Sequence, residues 1–349
     1  MSAFGFQMGA PAPRRPRVWK MAVGFLGLLI AGGFAVQSLF GGPPDFEPDT
    51  QGPSVTIAVQ DGATLREIGS TLKDADIVAS VDAFVQASEA NPDARFISPG
   101  DYKLPTRIPA STAIRLMLSP ESRDEVKIVI PEGSRASEIA GIVGDRLGID
   151  PRSVLKAMSD VPLPPSANGN AEGYLFPATY AIRRSATAND VIERLVSRYR
   201  QAAIELELER RARAMQLTVE QVVTIASLLE GEAAPADYSK VARVIYNRLE
   251  RGMPLQLDST VNYGLGIDVL QLSTEQLQQD GPYNTYTRTG LPPTPINSPG
   301  AAALEAALSP ARGDWLYFVA TDPKRKVTEF AVTYDEFLRL KAKFKRSLS

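Results

Sequence analysis

The chain contains neither cysteine nor histidine among its 349 residues. The absence of cysteine excludes disulfides, thiol nucleophiles and thiolate metal sites, although it does not identify a compartment. The absence of histidine excludes Ser-His-Asp catalysis, histidine-based zinc hydrolysis and imidazole acid–base chemistry. Proton transfer near neutral pH would therefore fall to Asp, Glu, Lys or Tyr side chains. With a net charge of −2, the chain also gives no electrostatic indication of nucleic-acid binding.

A long charge-free segment lies near the N-terminus, between Lys20 and Asp45. A stretch of this length can cross the roughly 30 Å of hydrocarbon in a bilayer as a helix. Basic residues precede it and acidic residues follow it, so the positive-inside rule places residues 1–20 in the cytoplasm. We expect a single transmembrane helix at 21–40 in the inner (cytoplasmic) membrane, with the rest of the chain outside. A cleaved signal peptide is the alternative, but the segment is long for one and lacks an A-x-A site.

Two segments beyond a Pro/Gly-rich linker (41–53) are similar to each other. VTIAVQDGATLREI (55–68) aligns without gaps on VKIVIPEGSRASEI (126–139). In each, alternating apolar residues predict a strand, an acidic residue followed by glycine predicts a turn, and a helix is expected next. We therefore assign residues 54–125 to one small strand–turn–helix module. Residues 126–170 form a second βα repeat and connecting region.

The remainder of the chain, 171–349, is rich in helix signals. Asn189 is predicted to cap a long helix, and Thr218 opens a capping box for the next one. A further helix is expected over about 238–251. The predicted fold class is α+β, with a helix-rich mixed α/β domain following the two βα units.

The segment IASLLEGEAA (225–234) ends an apolar run with two carboxylates. On a helix, Glu232 shares a face with apolar residues, whereas Glu230 shares one with smaller and partly polar residues. If the helix continues through Gly231, desolvation would raise the pKa of Glu232 and keep it protonated, as a general acid must be. If Gly231 ends the helix, both carboxylates are solvated. Periodicity alone leaves both interpretations open.

Glycoside cleavage suits a carboxylic acid of raised pKa in a chain without histidine. Hydrolysis usually needs two carboxylates, one as acid and one as base or nucleophile. One carboxylate is sufficient if the sugar supplies its own nucleophile. The same glutamate then protonates the leaving oxygen and afterwards removes a proton from an internal hydroxyl group, which closes a ring.

Five sequence blocks carry a family resemblance: EGYLFPATY, IASLLEGEA, VARVIYNRLERGMPLQLDSTVNYGLG, PYNTYTRTGLPPTPINSPG and ALSPARGDWLYFVA. In this order they resemble the MltG-type (YceG-like) endolytic murein transglycosylases, over about residues 54–345. The resemblance implies that Glu232, the second glutamate of a Glu-x-Glu motif, is the general acid/base. It also implies that 54–125 is a LysM-like glycan-binding module and that 171–349 is the catalytic domain. No cofactor or metal is expected.

The resemblance further implies a non-hydrolytic reaction on peptidoglycan. The bond between N-acetylmuramic acid (MurNAc) and N-acetylglucosamine (GlcNAc) in nascent strands would be cut to give 1,6-anhydro-MurNAc ends, which terminates strand elongation. The expected partners are glycan strands, peptidoglycan synthases (penicillin-binding proteins) and the membrane, with no nucleic acid. An anchored enzyme has a short reach from the bilayer, which suits this role.

Polar and aromatic residues in the same blocks are candidates for substrate binding, because a glycan cleft combines stacking rings with amide and hydroxyl donors. These candidates are Glu230, Asn247, Arg248, Gln256, Asp258, Tyr283, Asn284, Thr285 and Tyr286. Each could equally be a turn or packing residue. Glu230 could orient the acid or cap a structural network, and Glu172 could be structural.

The chain departs from the family pattern at four positions. Ala178 replaces a usual Asp, Gly231 a common Lys, Ser259 a usual Pro and Thr328 a usual His. None of these changes removes the proposed acid, but an assisting histidine cannot operate here.

Three other functions compete with this interpretation. The chain could be a catalytically inactive glycan-binding scaffold, or a muramidase that hydrolyses the same bond. The S-x-x-K match at Ser70–Lys73 prompts a serine acyltransferase, but a second match at Ser153–Lys156 shows how easily the pattern arises, and no companion motif follows.

Overall fold

The computed structural model describes residues 42–322 and 327–347, which belong to two compact units. The first unit ends at Asp124 and the second begins at Glu125. In the described residues, every sheet is a two-stranded antiparallel pair, and helices supply most of the other regular structure. This arrangement confirms the predicted helix-rich α+β class.

The predicted transmembrane helix at 21–40 lies outside the described residues. The cytoplasmic segment assigned to 1–20 lies outside them as well, so both assignments stay predictions. Within the ranges that the structure does describe, no helix combines the length and apolar character needed to cross a bilayer.

The first unit is built on one strand pair. Its elements are β1 (Ser54–Val59), α1 (Leu65–Asp74), α2 (Val81–Ala90), β2 (Gly100–Pro105) and α3 (Ala110–Met117), with 3-10 turns at Pro48–Thr50, Pro92–Phe96 and Pro120–Ser122. Ser54 lies opposite Pro105 and Val59 opposite Gly100. The predicted alternation holds, since Ile57 and Val59 are buried. Both strands and all three helices contribute to one hydrophobic core.

The first helix of this unit begins as a capping box predicts. The Thr64 side chain accepts a hydrogen bond from the Glu67 amide, and the Glu67 carboxylate accepts one from the Thr64 amide at 2.7 Å. These bonds satisfy two N–H groups that the helix itself leaves unpaired. The LysM-like character of the unit stays a prediction.

The second unit contains the remaining elements. They are β3 (Glu125–Ile130), α4 (Ala136–Leu147), α5 (Pro151–Asp160), β4 (Ala178–Arg183), α6 (Ala188–Glu205), α7 (Leu208–Ala214), α8 (Val219–Glu232), α9 (Tyr238–Glu250), α10 (Asp258–Leu265), α11 (Thr274–Gln278), α12 (Ala301–Leu308), β5 (Tyr317–Asp322), β6 (Val327–Ala331) and α13 (Tyr334–Ser347), with 3-10 turns at Pro165–Ala167 and Pro235–Asp237. Strand β3 pairs with β4, and β5 pairs with β6.

The two segments that resemble each other in sequence have the same local structure. In both, a six-residue strand is followed by a turn and then by a helix at the same spacing. The turn glycines, Gly62 and Gly133, both have φ of +75°, a conformation that costs glycine little. Each strand pairs antiparallel with a strand that follows much later in the chain.

The N-cap residue of helix α6 lies two residues before the predicted one. Thr187, not Asn189, is the N-cap residue, and its side chain accepts a hydrogen bond from the amide of Asp190. The Asp190 carboxylate accepts a bond from the Thr187 amide at 2.8 Å, which completes a capping box. Asn189 was wrong as the cap because the reciprocal pair satisfies two amides, whereas a single side chain satisfies one.

Helix α8 is the central element of the larger core of this unit. Its capping box at Thr218 and Gln221 is present as predicted. All residues from 222 to 229 are buried, and α9 and α12 pack against them. A helix that is buried on all sides can be apolar throughout its length. Its C-terminal end then carries the two carboxylates.

Candidate active site

Helix α8 continues through Gly231 and ends at Glu232. The prediction that Glu232 is desolvated required the helix to continue through Gly231, and it does. The alternative, in which Gly231 ends the helix, is wrong. The sequence predicted that Glu232 lies on an apolar face of this helix and Glu230 on a partly polar face. This difference does not explain how the two carboxylates differ, because both faces are buried over residues 222–229. What separates them is the set of groups that each carboxylate contacts.

Glu232 lies half-buried in a cleft of about 320 Å³. Its Oε1 accepts two hydrogen bonds from Ser259, one from the backbone N–H at 3.1 Å and one from the hydroxyl at 2.6 Å. Removal from water raises the pKa of Glu232 to about 7, although both Ser259 bonds act in the opposite direction. A carboxyl group with this pKa is protonated in a large fraction of molecules near neutral pH, and it can both donate and accept a proton.

Four parts of the second unit form the cleft around Glu232. The end of α8 and the start of α10 form one part, and the others are the turn before α4, the loop after α10 and the segment before α12. The lining residues are Gly133, Arg135, Glu138, Gly231, Glu232, Asp258, Ser259, Asn262, Asp268, Val269, Leu270, Ile296 and Asn297. Of the residues predicted for the site, Glu232 and Asp258 line this cleft.

Asp258 and Tyr286 form a pair beside the acid. The Tyr286 hydroxyl donates a hydrogen bond to Asp258 Oδ1 at 2.6 Å. Burial raises the pKa of Tyr286, and the hydrogen bond to Asp258 adds to this effect. Asp258 precedes Ser259 at the start of α10, so the pair lies directly next to the groups that contact Glu232.

Asn247 and Arg248 are buried at the end of α9 and bind backbone carbonyls. The Asn247 amide donates to the carbonyls of Gly313 and Trp315. The Arg248 guanidinium donates to Leu316 at 2.6 Å and Leu255 at 2.7 Å, and it lies over the ring of Tyr317. These bonds connect α9 to two loops of the unit, and contact with substrate stays a prediction for both residues.

Asn284 and Thr285 are buried neighbours whose side chains bind two different segments. The Asn284 amide donates to the carbonyls of Leu277 and Gln279. The Thr285 hydroxyl accepts from the Leu257 N–H at 3.0 Å and shares a hydrogen bond with the Thr260 hydroxyl. Thr285 therefore fixes the start of α10, where Asp258 and Ser259 lie. Asn284 instead holds the end of α11.

Gln256 and Tyr283 have different surroundings. Gln256 is exposed, and its backbone has a φ of +50°, which is uncommon for any residue except glycine. Its N–H donates to the Thr285 carbonyl at 3.0 Å. Tyr283 shares a hydrogen bond with Thr294 and packs edge-on against the ring of Tyr263 at 4.9 Å. Substrate contact stays a prediction for both residues.

Glu230 has both carboxylate oxygens engaged by protein groups. Oε2 accepts from the Tyr238 hydroxyl at 2.7 Å, and Oε1 accepts from the Gly300 N–H at 2.9 Å. Gly300 is the N-cap residue of α12, where a carboxylate is favourable. Burial raises the pKa of Glu230. Of the two proposed roles, the geometry favours the structural one, because Glu230 connects α8 to α9 and α12.

Glu172 is a second buried carboxyl group near the cleft. Its Oε1 accepts from the Ala136 N–H at 3.0 Å, and its Oε2 accepts from the Tyr263 hydroxyl at 3.1 Å. Ala136 is the first residue of α4, so Glu172 supplies an acceptor for a helix N-terminus. Burial raises its pKa to about 7. The suggestion that Glu172 is structural agrees with these contacts.

Replacing Glu172 by Gln should reduce the pH dependence of stability. The ordinary pKa is 4.5, and the folded value is about 7, so the folded state holds its proton to higher pH than the unfolded state. Wild-type stability should therefore fall as the pH rises from about 4.5 to 7, by at most roughly 3 kcal/mol from this residue. The Gln variant should match wild type near pH 4 and exceed it above pH 7.

The measurement is urea unfolding at a series of pH values, with exposed Glu193→Gln as the matched control. Parallel pH profiles for wild type and Glu172→Gln would show that Glu172 has the same pKa in the folded and unfolded states, which would contradict the prediction.

Most residues that line the cleft were not predicted as site residues, and three of these have contacts that bear on the site. Ser259 drew attention only as a departure from a family pattern, yet it makes both protein contacts of Glu232 Oε1. Arg135 lies over the Tyr263 ring and donates to the Ile267 carbonyl. The Asn297 amide nitrogen donates to the Ser227 carbonyl, and its oxygen is buried without a partner in the part of the chain that the structure describes. No local signal in the sequence marks Arg135 or Asn297.

Comparison with known proteins identifies the family. The model of the YceG-like family matches residues 57–343. The chain belongs to the YceG-like family. The match covers most of both units, and it includes Glu232 and the residues that form the cleft.

Similar proteins are known from several bacteria. An endolytic murein transglycosylase of Bacillus subtilis is 30% identical over 91% of this chain and 91% of its own length. One of Streptococcus pneumoniae is 30% identical over 87% of this chain, which spans 61% of that relative. The crystal structure of a putative YceG-like protein of Listeria monocytogenes matches with a TM-score of 0.56 at 28% identity, covering 83% of this chain and 99% of that one.

Two of the departures from the YceG-like pattern meet in space. A Cβ atom on Gly231 would lie 2.9 Å from Ser259 Cβ, which is closer than real side chains approach. Gly231 therefore permits Ser259 to reach Glu232. The other two departures, Ala178 in β4 and Thr328 in β6, do not line the cleft.

Proposed function

We propose that this protein is a membrane-anchored endolytic lytic transglycosylase of peptidoglycan. The enzyme class is that of the YceG-like family and of the relatives named endolytic murein transglycosylase. The observation that carries the proposal is Glu232, a carboxyl group in a cleft with a pKa raised to about 7. In a chain without histidine, this group has the properties of a general acid that can also act as a base.

The proposed reaction uses Glu232 twice. First, its proton is transferred to the oxygen between MurNAc C1 and GlcNAc C4, and the C1–O bond breaks with release of the GlcNAc hydroxyl. The Glu232 carboxylate then removes the proton from the MurNAc C6 hydroxyl, whose oxygen attacks C1 and forms the 1,6-anhydro ring. The acid is protonated again at the end, and no water is consumed.

The proposed location follows from the charge-free segment at 21–40, which would anchor the enzyme in the inner membrane with its cleft outside. An anchored enzyme would act on nascent strands close to the peptidoglycan synthases. Cleavage within a strand would end its elongation and release it from the synthase.

Product analysis tests the proposal directly. Full-length protein in detergent is incubated with isolated glycan strands in water enriched in heavy oxygen, and the products are examined by mass spectrometry. We expect shorter strands that end in 1,6-anhydro-MurNAc and carry no heavy oxygen. Reducing ends that contain heavy oxygen would identify a muramidase, and uncut strands would favour a glycan-binding scaffold, so either result would contradict the proposal.

A further inference from the structure

The two oxygens of Glu232 have different surroundings. Oε1 accepts from both the N–H and the hydroxyl of Ser259, at 3.1 and 2.6 Å. For Oε2 the structure records no hydrogen-bond donor among the residues that it describes. An oxygen that accepts two hydrogen bonds is a poor site for a proton, because a protonated carboxyl oxygen is itself a donor.

We propose that Ser259 is a positioning residue that fixes Oε1 of Glu232 as an acceptor, so that Oε2 carries the proton. This inference rests on the proposed function, in which Glu232 transfers a proton to the glycosidic oxygen and later takes one from the sugar. With Oε1 held by Ser259, both transfers take place at Oε2. The carboxyl plane is also fixed, which orients the proton before substrate is cleaved.

Ser259 is held in place by the start of α10 and by the hydrogen bonds of the neighbouring Thr260. It is the second residue of α10, so its N–H is one of the first-turn donors that a helix leaves unpaired. The Thr260 hydroxyl donates to the Leu257 carbonyl at 2.7 Å and shares a hydrogen bond with Thr285. The helix N-terminus also favours the ionised form of Glu232 after proton transfer.

Other charged groups around Glu232 also affect its protonation. Asp258 raises its pKa and Arg248 lowers it, in addition to the dominant effect of burial. The ionisable groups to consider are Arg135, Glu138 and Asp268, which line the same cleft, together with Asp258, Arg248 and Tyr286. All six are unchanged when Ser259 alone is replaced, so a difference between variants reports on Ser259.

Ser259→Ala is the central variant, because it removes the hydroxyl donor and keeps the N–H. A donor to the ionised form lowers the pKa of a carboxyl group, so its removal raises the pKa. Wild-type kcat/KM should fall as the pH rises through about 7, where Glu232 loses its proton. In Ser259→Ala, this alkaline limb should move up by about one pH unit. The plateau should fall by about tenfold, because the acid is less well oriented.

Two further variants separate positioning from a structural effect. Ser259→Thr keeps the hydroxyl donor and should restore the alkaline limb of wild type. Exposed Ser197→Ala in α6 removes a serine hydroxyl far from Glu232 in sequence, and its profile should match wild type. A lower plateau in Ser259→Ala with an unmoved alkaline limb would overturn the inference, since loss of packing alone lowers activity without moving the limb.

A measurement without substrate distinguishes failure of this inference from failure of the proposed function. The pKa of the Glu232 carboxyl can be followed by carbon NMR of protein labelled at glutamate, with the signal assigned from Glu232→Gln. The pKa should be higher in Ser259→Ala than in wild type or Ser259→Thr, even if no anhydro ends are formed. An equal pKa in all three proteins would overturn the inference, whereas absence of anhydro ends in wild type would refute only the proposed reaction.

Discussion

Replacing Glu232 by Gln is expected to lower the rate of formation of anhydro ends by about 10³-fold. The amide has nearly the same shape as the carboxyl group, and its oxygen can still accept both hydrogen bonds from Ser259. It cannot donate an acidic proton to the glycosidic oxygen or take one from the C6 hydroxyl. The loss should therefore appear in kcat, with little change in strand binding. The measurement is a time course of anhydro ends from glycan strands.

Exposed Glu250→Gln is the matched control for this variant, since it makes the same chemical change at the end of α9. Its rate should equal that of wild type. The melting temperature of Glu232→Gln should be at least that of wild type above pH 7, because the substitution removes a carboxylate that burial disfavours. A Glu232→Gln protein that forms anhydro ends at the wild-type rate would remove Glu232 from the mechanism.

Replacing Arg248 by Met is expected to lower the free energy of unfolding of the second unit by roughly 3 kcal/mol. Met fills most of the same volume but donates no hydrogen bonds. The carbonyls of Leu255 and Leu316 would lose short bonds to a charged donor, and that of Pro254 would lose a longer one. These carbonyls are in loops that meet at α9, so their release should loosen both loops.

Unfolding can be followed through the fluorescence of Trp315, whose carbonyl accepts a bond from the neighbouring Asn247. Exposed Arg251→Met is the control and should change stability by less than about 0.5 kcal/mol. Activity of Arg248→Met should fall as well, because the loop that it holds leads into Asp258 and Ser259. An equal effect of the two substitutions would show that the hydrogen bonds of Arg248 do not stabilise the fold.

Local patterns predicted the elements well where the determining interactions are close in sequence. The capping boxes at Thr64 and Thr218 and the strand alternation of the two βα units depend on residues within a few positions of one another. The cap of α6 was missed because Asp190 completes the box there in place of the more usual Glu or Gln.

Some of the predicted site residues line the cleft, and others hold neighbouring loops in place. Their spacing along the sequence could not distinguish these two groups. Asn247, Arg248, Asn284 and Thr285 are all polar, and each forms hydrogen bonds with backbone groups of neighbouring segments. Thr285 also shares a hydrogen bond with the Thr260 hydroxyl. A polar residue in a block that resembles the family can thus support a site from inside the protein. Only burial and partners distinguish such a residue from one that faces the cleft.

The sequence by itself limited the proton-transfer groups of this protein to Asp, Glu, Lys and Tyr side chains, and the spacing around Glu232 identified a helix on which a carboxyl group could be desolvated. The sequence also contains the five blocks that resemble the family, in the family's order. The tertiary structure alone decided which carboxyl oxygen is free, because that depends on Ser259, a residue 27 positions away in sequence. Gly231 and Ser259 look unrelated in the sequence, yet the missing Cβ of one lets the other approach Glu232. Such contacts arise only when α8 and α10 pack together, since hydrogen bonds act over distances in space and not along the chain.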